Sequence, residues 1–183
     1  AAIENVIAIK MAPFNRYRTL EIVRAVVDAH AEDRVTLYTG NDDHIVLDLL
    51  QPFVVPRDGR DVTVHIKGGL LGHWSVWTRA AVEQFATLTE ARGGSISPEL
   101  LGLDSLVTDC NGAIYDALND FAGAIPGCLE VLRRQGFVTS TACLDENETL
   151  SPGQLEQIDR VYATHPQLND DAFVAEHLAT WLA

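Results

Sequence analysis

The sequence predicts an α/β protein. Three observations carry this. Three apolar, β-branched runs alternate with three helical patterns in the first half, each apolar run ends in polar or glycine residues at its C-terminal end, and the second half reads as helices alone. Strand, helix, strand, helix, strand, helix is the order of a parallel sheet with covering helices.

The first run, Val6-Ile7-Ala8-Ile9, ends in Lys10 and is stopped by Pro13. In "NRYRTLEIVRAVVDAH", Leu20, Val23, Val26 and Val27 recur at helical spacing, with Arg16, Arg18, Glu21, Arg24 and Asp28 on other faces. "RVTLYTG" returns to strand character and meets the polar turn "GNDDH". A helical "IVLDLLQPF" follows, stopped by Pro52. "VTVHIKGG" is the third expected strand and "HWSVWTRAAVEQFATLTEAR" the third helix. From "SPELLGLDSL" onward the reading is helical, over 98–120, 124–135, 152–164 and 170–182, with Ser151 as an N-cap and Pro152 at the first helical position. Residues 1–95 thus form the strand-helix part and 96–183 a helical extension. A closed (β/α)8 barrel takes about 250 residues, so three strands do not close one.

Thirteen lysines and arginines against 26 acids give a formal charge of −13, with the acids spread among apolar residues. Such a surface repels phosphate backbones and anionic lipid, which argues against nucleic-acid and membrane partners. No apolar run reaches membrane-spanning length and no signal-peptide pattern opens the chain, so a cytoplasmic protein is expected. Cys110, Cys128 and Cys143 are odd in number and widely spaced, and are expected as reduced, largely buried thiols without zinc.

Parallel α/β folds place their sites at the C-terminal ends of the strands. On that rim the sequence puts Lys10, the Gly40-Asn41-Asp42-Asp43 turn, and Lys67 with a Gly68-Gly69 turn. A partly desolvated lysine amine attacks carbonyls and forms Schiff bases; the alternative for Lys10 is an ion pair with an acid such as Asp42. Lys67 either holds an anionic substrate group or pairs with an acid. Gly68 and Gly69 either open an anion cradle of backbone N–H groups or serve a tight turn. Asn15, Arg16 and Tyr17 follow the lysine strand closely enough to face the same mouth, Asn15 also suiting a helix cap. His44, His65 and His73 lie near the rim without metal-ligand spacing. Trp74, Trp77 and Trp181 read as packing aromatics, and Asp170 and Asp171 as acids at the start of the last helix.

"ENVIAIKMA", one helix, and then "VTLYTGNDDHIVLDLL" resembles the second half of the dihydrodipicolinate synthase / N-acetylneuraminate lyase family of class I, Schiff-base aldolases. The likeness covers roughly residues 3–75 and, more loosely, the helical tail. It implies the C-terminal part of a TIM (β/α)8 barrel, about three βα units, followed by a helical extension. It implies Lys10 as the Schiff-base lysine, Gly40 as the turn glycine, and Asn41 or Asp42 where the family carries an acid, the turn being one residue longer here. The implied activity is a lyase reaction on pyruvate or a related 2-oxo acid, with no metal or organic cofactor. A sugar-acid dehydratase using the same lysine, and a non-catalytic binding or assembly module, are the alternatives. "MAPFNRYRT" and "IKGGLLGHWSVWT" depart from the family pattern. The glycine-threonine motif and proton-relay tyrosine expected ahead of the lysine are not among the nine residues before Lys10. The expectation is therefore a chain that is not an autonomous catalyst and works as a homo-oligomer or with the missing N-terminal barrel half.

Overall fold

The computed structural model describes residues 3–183. It is mixed α/β, with seven α-helices and five short strands among the described residues. The strands are β1 (Ala8–Met11), β2 (Thr36–Thr39), β3 (Phe53–Arg57), β4 (Arg60–Val64) and β5 (Gly68–Gly69). The helices are α1 (Arg16–Asp28), α2 (Ile45–Leu50), α3 (Thr78–Ala91), α4 (Pro98–Ile114), α5 (Ala124–Arg134), α6 (Gln154–Thr164) and α7 (Asp171–Trp181). Among the described residues no helix is long and apolar enough to cross a membrane.

The chain divides into two compact units whose limits fall after Leu71, inside α3 and inside α4. One holds the residues up to Leu71 with Phe85–Asp104; the other holds Gly72–Gln84 with Ser105–Ala183.

In the first unit, β1, β2 and β5 form a parallel sheet in that order. α1 starts at Asn15, whose side chain accepts the Arg18 N–H at 3.2 Å, as an N-cap should. Its stripe of Thr19, Val23, Val26 and Val27 is buried. Met11, Leu37 and Thr39 are buried on one face of the sheet, together with Ile45, Leu49, Ile66 and Leu88 of the same unit. Each such side chain contributes about 1.5–3 kcal/mol on burial.

The expected third strand is corrected. "VTVHIKGG" is not one parallel strand: Arg60–Val64 pairs antiparallel with Phe53–Arg57, and only Gly68–Gly69 joins β2. Asp58 and Gly59 make the hairpin turn, both with positive φ (51° and 75°). An Asp-Gly pair takes up that left-handed turn readily. The third helix also begins later than expected, at Thr78, after a single 3-10 turn over Gly72–Ser75.

In the second unit Trp77, Val107, Cys110, Ile114, Val131, Ile158 and Val161 form the core. The helix expected to run to residue 120 ends at Ile114, because Asp116 turns left-handed (φ 58°) and Asp120 and Phe121 do so again (51° and 65°). The Asp116 carboxylate fixes this loop by accepting from Asn119 Nδ2 (2.7 Å), Gly123 N (2.8 Å) and Ser151 Oγ (2.6 Å). That last bond explains why Ser151 is not the cap of α6. Its hydroxyl is taken by a carboxylate, and Gly153, at φ 81°, stands before Gln154 instead. Asp170 makes no side-chain cap to its own helix. Its two oxygens accept the Arg79 and Ala80 N–H groups, each at 2.7 Å, so it caps the start of α3.

Candidate functional site

The strand ends of the parallel sheet set the site. Lys10 is the register partner of Tyr38, and Tyr38 of Gly68. By strand alternation these three share one face with Ala8 and Thr36, while Met11, Thr39 and Gly69 share the other. The second face is the buried one. On the first, Ala8, Lys10 and Thr36 are exposed and Tyr38 is half-buried.

Lys10 lies along the rim over Gly40. A Cβ at position 40 would meet Lys10 Cε at 2.9 Å and Nζ at 3.6 Å, with Ala12 Cβ at 3.2 Å. The glycine leaves the space that the amine occupies. Tyr38 is seated in the same way: a Cβ on Gly68 would stand 2.8 Å from Tyr38 Cε2, and the Tyr38 hydroxyl donates to the Gly69 carbonyl at 2.8 Å.

Gly68 and Gly69 therefore form a strand and not a turn. The N–H groups on either side are spent on β2, from Lys67 to the Leu37 carbonyl (2.9 Å) and from Leu70 to the Thr39 carbonyl (3.0 Å). The anion cradle considered from the sequence lacks those donors. Lys67 itself is exposed.

Behind the rim lies a buried polar network. Asp48, on α2, has no solvent exposure; one carboxylate oxygen pairs with Arg16 Nη1, and the other accepts from Thr39 Oγ1 (2.7 Å) and Asn41 Nδ2 (2.9 Å). Asn41 also donates to Thr19 Oγ1 (3.0 Å), and its carbonyl oxygen accepts the Phe14 N–H (3.2 Å). Asp48, Asn41 and Thr39 each meet a hydrogen-bond partner here, as low-dielectric burial demands. Asn41 thus braces the turn from behind, and its amide is occupied. Over this floor opens a cleft of about 260 Å³ lined by Asn15, Arg16, Thr19, Asn41, Asp43 and His44. His44 Nδ1 stands 3.2 Å from Asp104, whose other oxygen accepts the Leu47 N–H at 3.2 Å. Tyr17 is 82% exposed and lines no part of this cleft.

No family model, curated protein or solved structure matches this chain. The functional argument rests on the residues themselves.

The remaining candidates have structural surroundings. His65 is driven below the ordinary imidazole range by burial, with Arg92 and Lys67 adding to it. His73 is buried in the second unit, where burial pushes its pKa down to about 4 against the opposing bond to Asn111. Cys110 is pushed up to about 12 by burial, and Cys128 and Cys143 are raised as well, burial being the first cause in each. Thiols so held are poor nucleophiles. Among the described residues no group of three or more His, Cys, Asp or Glu is placed to hold a metal. Trp74 and Trp77 are buried, whereas Trp181 is 47% exposed and stacks on Phe137.

The structure thus brings Lys10 and Gly40 together at one rim and puts Asn41 into the network behind it. It adds Tyr38 beside the lysine and Asp48 and Asp104 behind the turn. Of these, Tyr38 was within reach of sequence, since "IK" and "YTG" in parallel register make lysine and tyrosine neighbours. Asp48 and Asp104 had no local signal, because the Arg16 that pairs with Asp48 and the Leu47 N–H that Asp104 accepts lie 32 and 57 residues away in sequence.

Proposed function

We propose that Lys10 is the Schiff-base lysine of an aldolase-type lyase acting on pyruvate or a related 2-oxo acid, as in the dihydrodipicolinate synthase / N-acetylneuraminate lyase family that the sequence resembles. One observation supports this above the others: the Lys10 amine lies at the C-terminal rim of a parallel sheet, over a glycine that leaves it room, on the face where Ala8 and Thr36 are also exposed. The neutral amine attacks the ketone carbon, water leaves, and the resulting iminium withdraws electrons from the adjacent carbon as a carbon–carbon bond forms or breaks. No metal or organic cofactor enters this chemistry. Asp42 and Asp43 are the acids in the turn beyond Gly40, the glycine over which Lys10 lies.

The exposed face and the unpaired outer edge of β1 favour further strand–helix units there, from the same chain or a second copy, because bare sheet edges are normally covered. The same observation favours a second reading, a non-catalytic binding or assembly module. A sugar-acid dehydratase would use the same lysine in the same way.

The sequence holds only two lysines, Lys10 and Lys67, which makes the test clean. Full-length protein treated with pyruvate and borohydride should gain a stable mass on the Lys10 peptide. Label that lands on Lys67, or that persists in Lys10→Ala, overturns the assignment, and a wild-type protein that takes no label favours the assembly module.

A further inference from the structure

A second polar cluster of the first unit lies away from the Lys10 rim. Lys67 meets β2 at Leu37, before the rim residues Thr39 and Gly40, and α2, which leaves the rim at His44, has run back by Leu49 and Gln51. Arg92, just past α3, reaches both. Its Nε donates to the Leu49 carbonyl at 2.7 Å and its Nη2 to the Ile66 carbonyl at 2.8 Å, over the Phe85 ring. Ile66 is fully buried and separates His65 from Lys67, so the guanidinium is anchored between those two residues. Much of the hydrogen-bonding capacity here is unspent. A guanidinium carries five N–H donors, and Arg92 uses two of them, both on carbonyls. Among the described residues neither Arg92 nor Lys67 has a carboxylate partner, although acids outnumber bases two to one in the sequence. Gln51 Nε2 and His65 Nδ1 are buried with no partner at all, where burial normally demands one. His65 lies against the Gln51 backbone, and Arg92 and Lys67 both depress its imidazole. A guanidinium that only tied α2 to the next strand would account for the two carbonyl bonds and for neither open nitrogen.

We propose that Gln51, His65, Lys67 and Arg92 form a binding site for a phosphate group, free or carried on a small molecule. The site is independent of the Schiff-base reading of Lys10. The guanidinium fork, the ammonium, and the imidazole and amide N–H groups offer donors to separate oxygens, and two fixed positive charges match a dianion. A carboxylate brings two oxygens and one charge, and leaves part of this set open. The end of a helix repels anions through its carbonyls, but at α2 the Leu49 carbonyl is the one that Arg92 covers. What faces the ligand is the cation. A bound dianion opposes the two charges that depress His65, so the imidazole takes up a proton more readily when the site is filled.

The test follows the ring protons of the six histidines in the whole chain by NMR, at constant ionic strength held with sodium chloride, His65 being assigned through His65→Gln. Inorganic phosphate and glycerol phosphate are the probes, and acetate is the control. The His65 signal should shift saturably with phosphate, and the tighter of the two probes tells whether the site takes the free anion or an ester. Its pKa should rise in sulfate, a dianion throughout the titration. Lys67→Gln changes an exposed side chain, so it should leave thermal unfolding in chloride unchanged while weakening phosphate binding by about tenfold. No saturable shift at His65, an equal shift from acetate, or an unchanged affinity in Lys67→Gln overturns the site. So does phosphate that moves other histidines and leaves His65 still. None of these outcomes bears on Lys10, whose adduct is read separately.

Discussion

His73 should make the second unit lose stability on mild acidification, because its imidazole is buried as the neutral base. The imidazole is 2% exposed; its Nδ1 and its backbone N–H both face Asn111 Oδ1 (3.3 and 3.1 Å), and Trp77 meets the ring edge-on with centroids 5.6 Å apart. Burial lowers its pKa from 6.5 to about 4. A base whose folded pKa is depressed gives stability that is fully present above the unfolded pKa and lost as pH falls toward the folded one. Between pH 7.5 and 5 the linkage amounts to about 2 kcal/mol, and below pH 4 it saturates at about 3 kcal/mol. Urea unfolding followed by tryptophan fluorescence reads this directly, since Trp74 and Trp77 adjoin the ring. His73→Gln does not titrate, so its stability should change less over the same pH range by about 2 kcal/mol. An equal pH dependence in the two proteins, within about 0.5 kcal/mol, would refute the reasoning.

Asp48→Asn should cost about 3 kcal/mol, since it sets an amide against Arg16 in a fully buried site. For a chain of this size that is a drop in Tm of about 6–12 °C by calorimetry. Gly72→Ala drives a Cβ into the Tyr115 ring and should destabilise by about 1–3 kcal/mol, a loss that Tyr115→Ala should partly relieve. Asp170→Ala removes the cap on Arg79 and Ala80 and should cost about 1–2 kcal/mol in urea unfolding. If the Gly40-Asn41-Asp42 turn orients substrate and holds no metal, turnover should persist in chelator; loss that a divalent ion restores would count against that role.

The helices were the legible part of the fold. α1, α5, α6 and α7 lie within two residues of the spans that apolar spacing suggests; the first three bury a stripe each, and α7 buries Val174. The hairpin was not read, although Asp58-Gly59 between two β-branched runs is a strong turn signal. Pro52 drew attention as a helix stop, and the segment after it, "FVVPR" with Pro56, is a strand. Proline fits there because a two-stranded sheet has only edges. At the site, Lys10 and Gly40 were legible because strand ends announce themselves locally. Asn41, expected at the rim from the sequence, is also tied into the network behind it, and Asp48, which the sequence did not single out, is fully buried on α2. Nothing within a few residues of either foretells this; Arg16 is what makes a buried carboxylate tolerable, and it belongs to another helix. Asp170 was taken for a cap of its own helix and serves one about ninety residues earlier.

The interleaving of the two units constrains how a ribosome can deliver this protein. Gly72–Gln84 leaves the exit tunnel before Ser105–Ala183, the segment it must pack with, and Phe85–Asp104 then has to rejoin the first unit. Trp77 and His73, core residues of the later unit, wait exposed while a hundred residues are synthesised behind them. At about 5–20 residues per second that delay lasts about 5–20 seconds. A nascent chain in that interval presents tryptophan and valine side chains without cover, which is the kind of segment a holding chaperone binds. By the same logic no single backbone cut between residues 72 and 104 releases one unit intact.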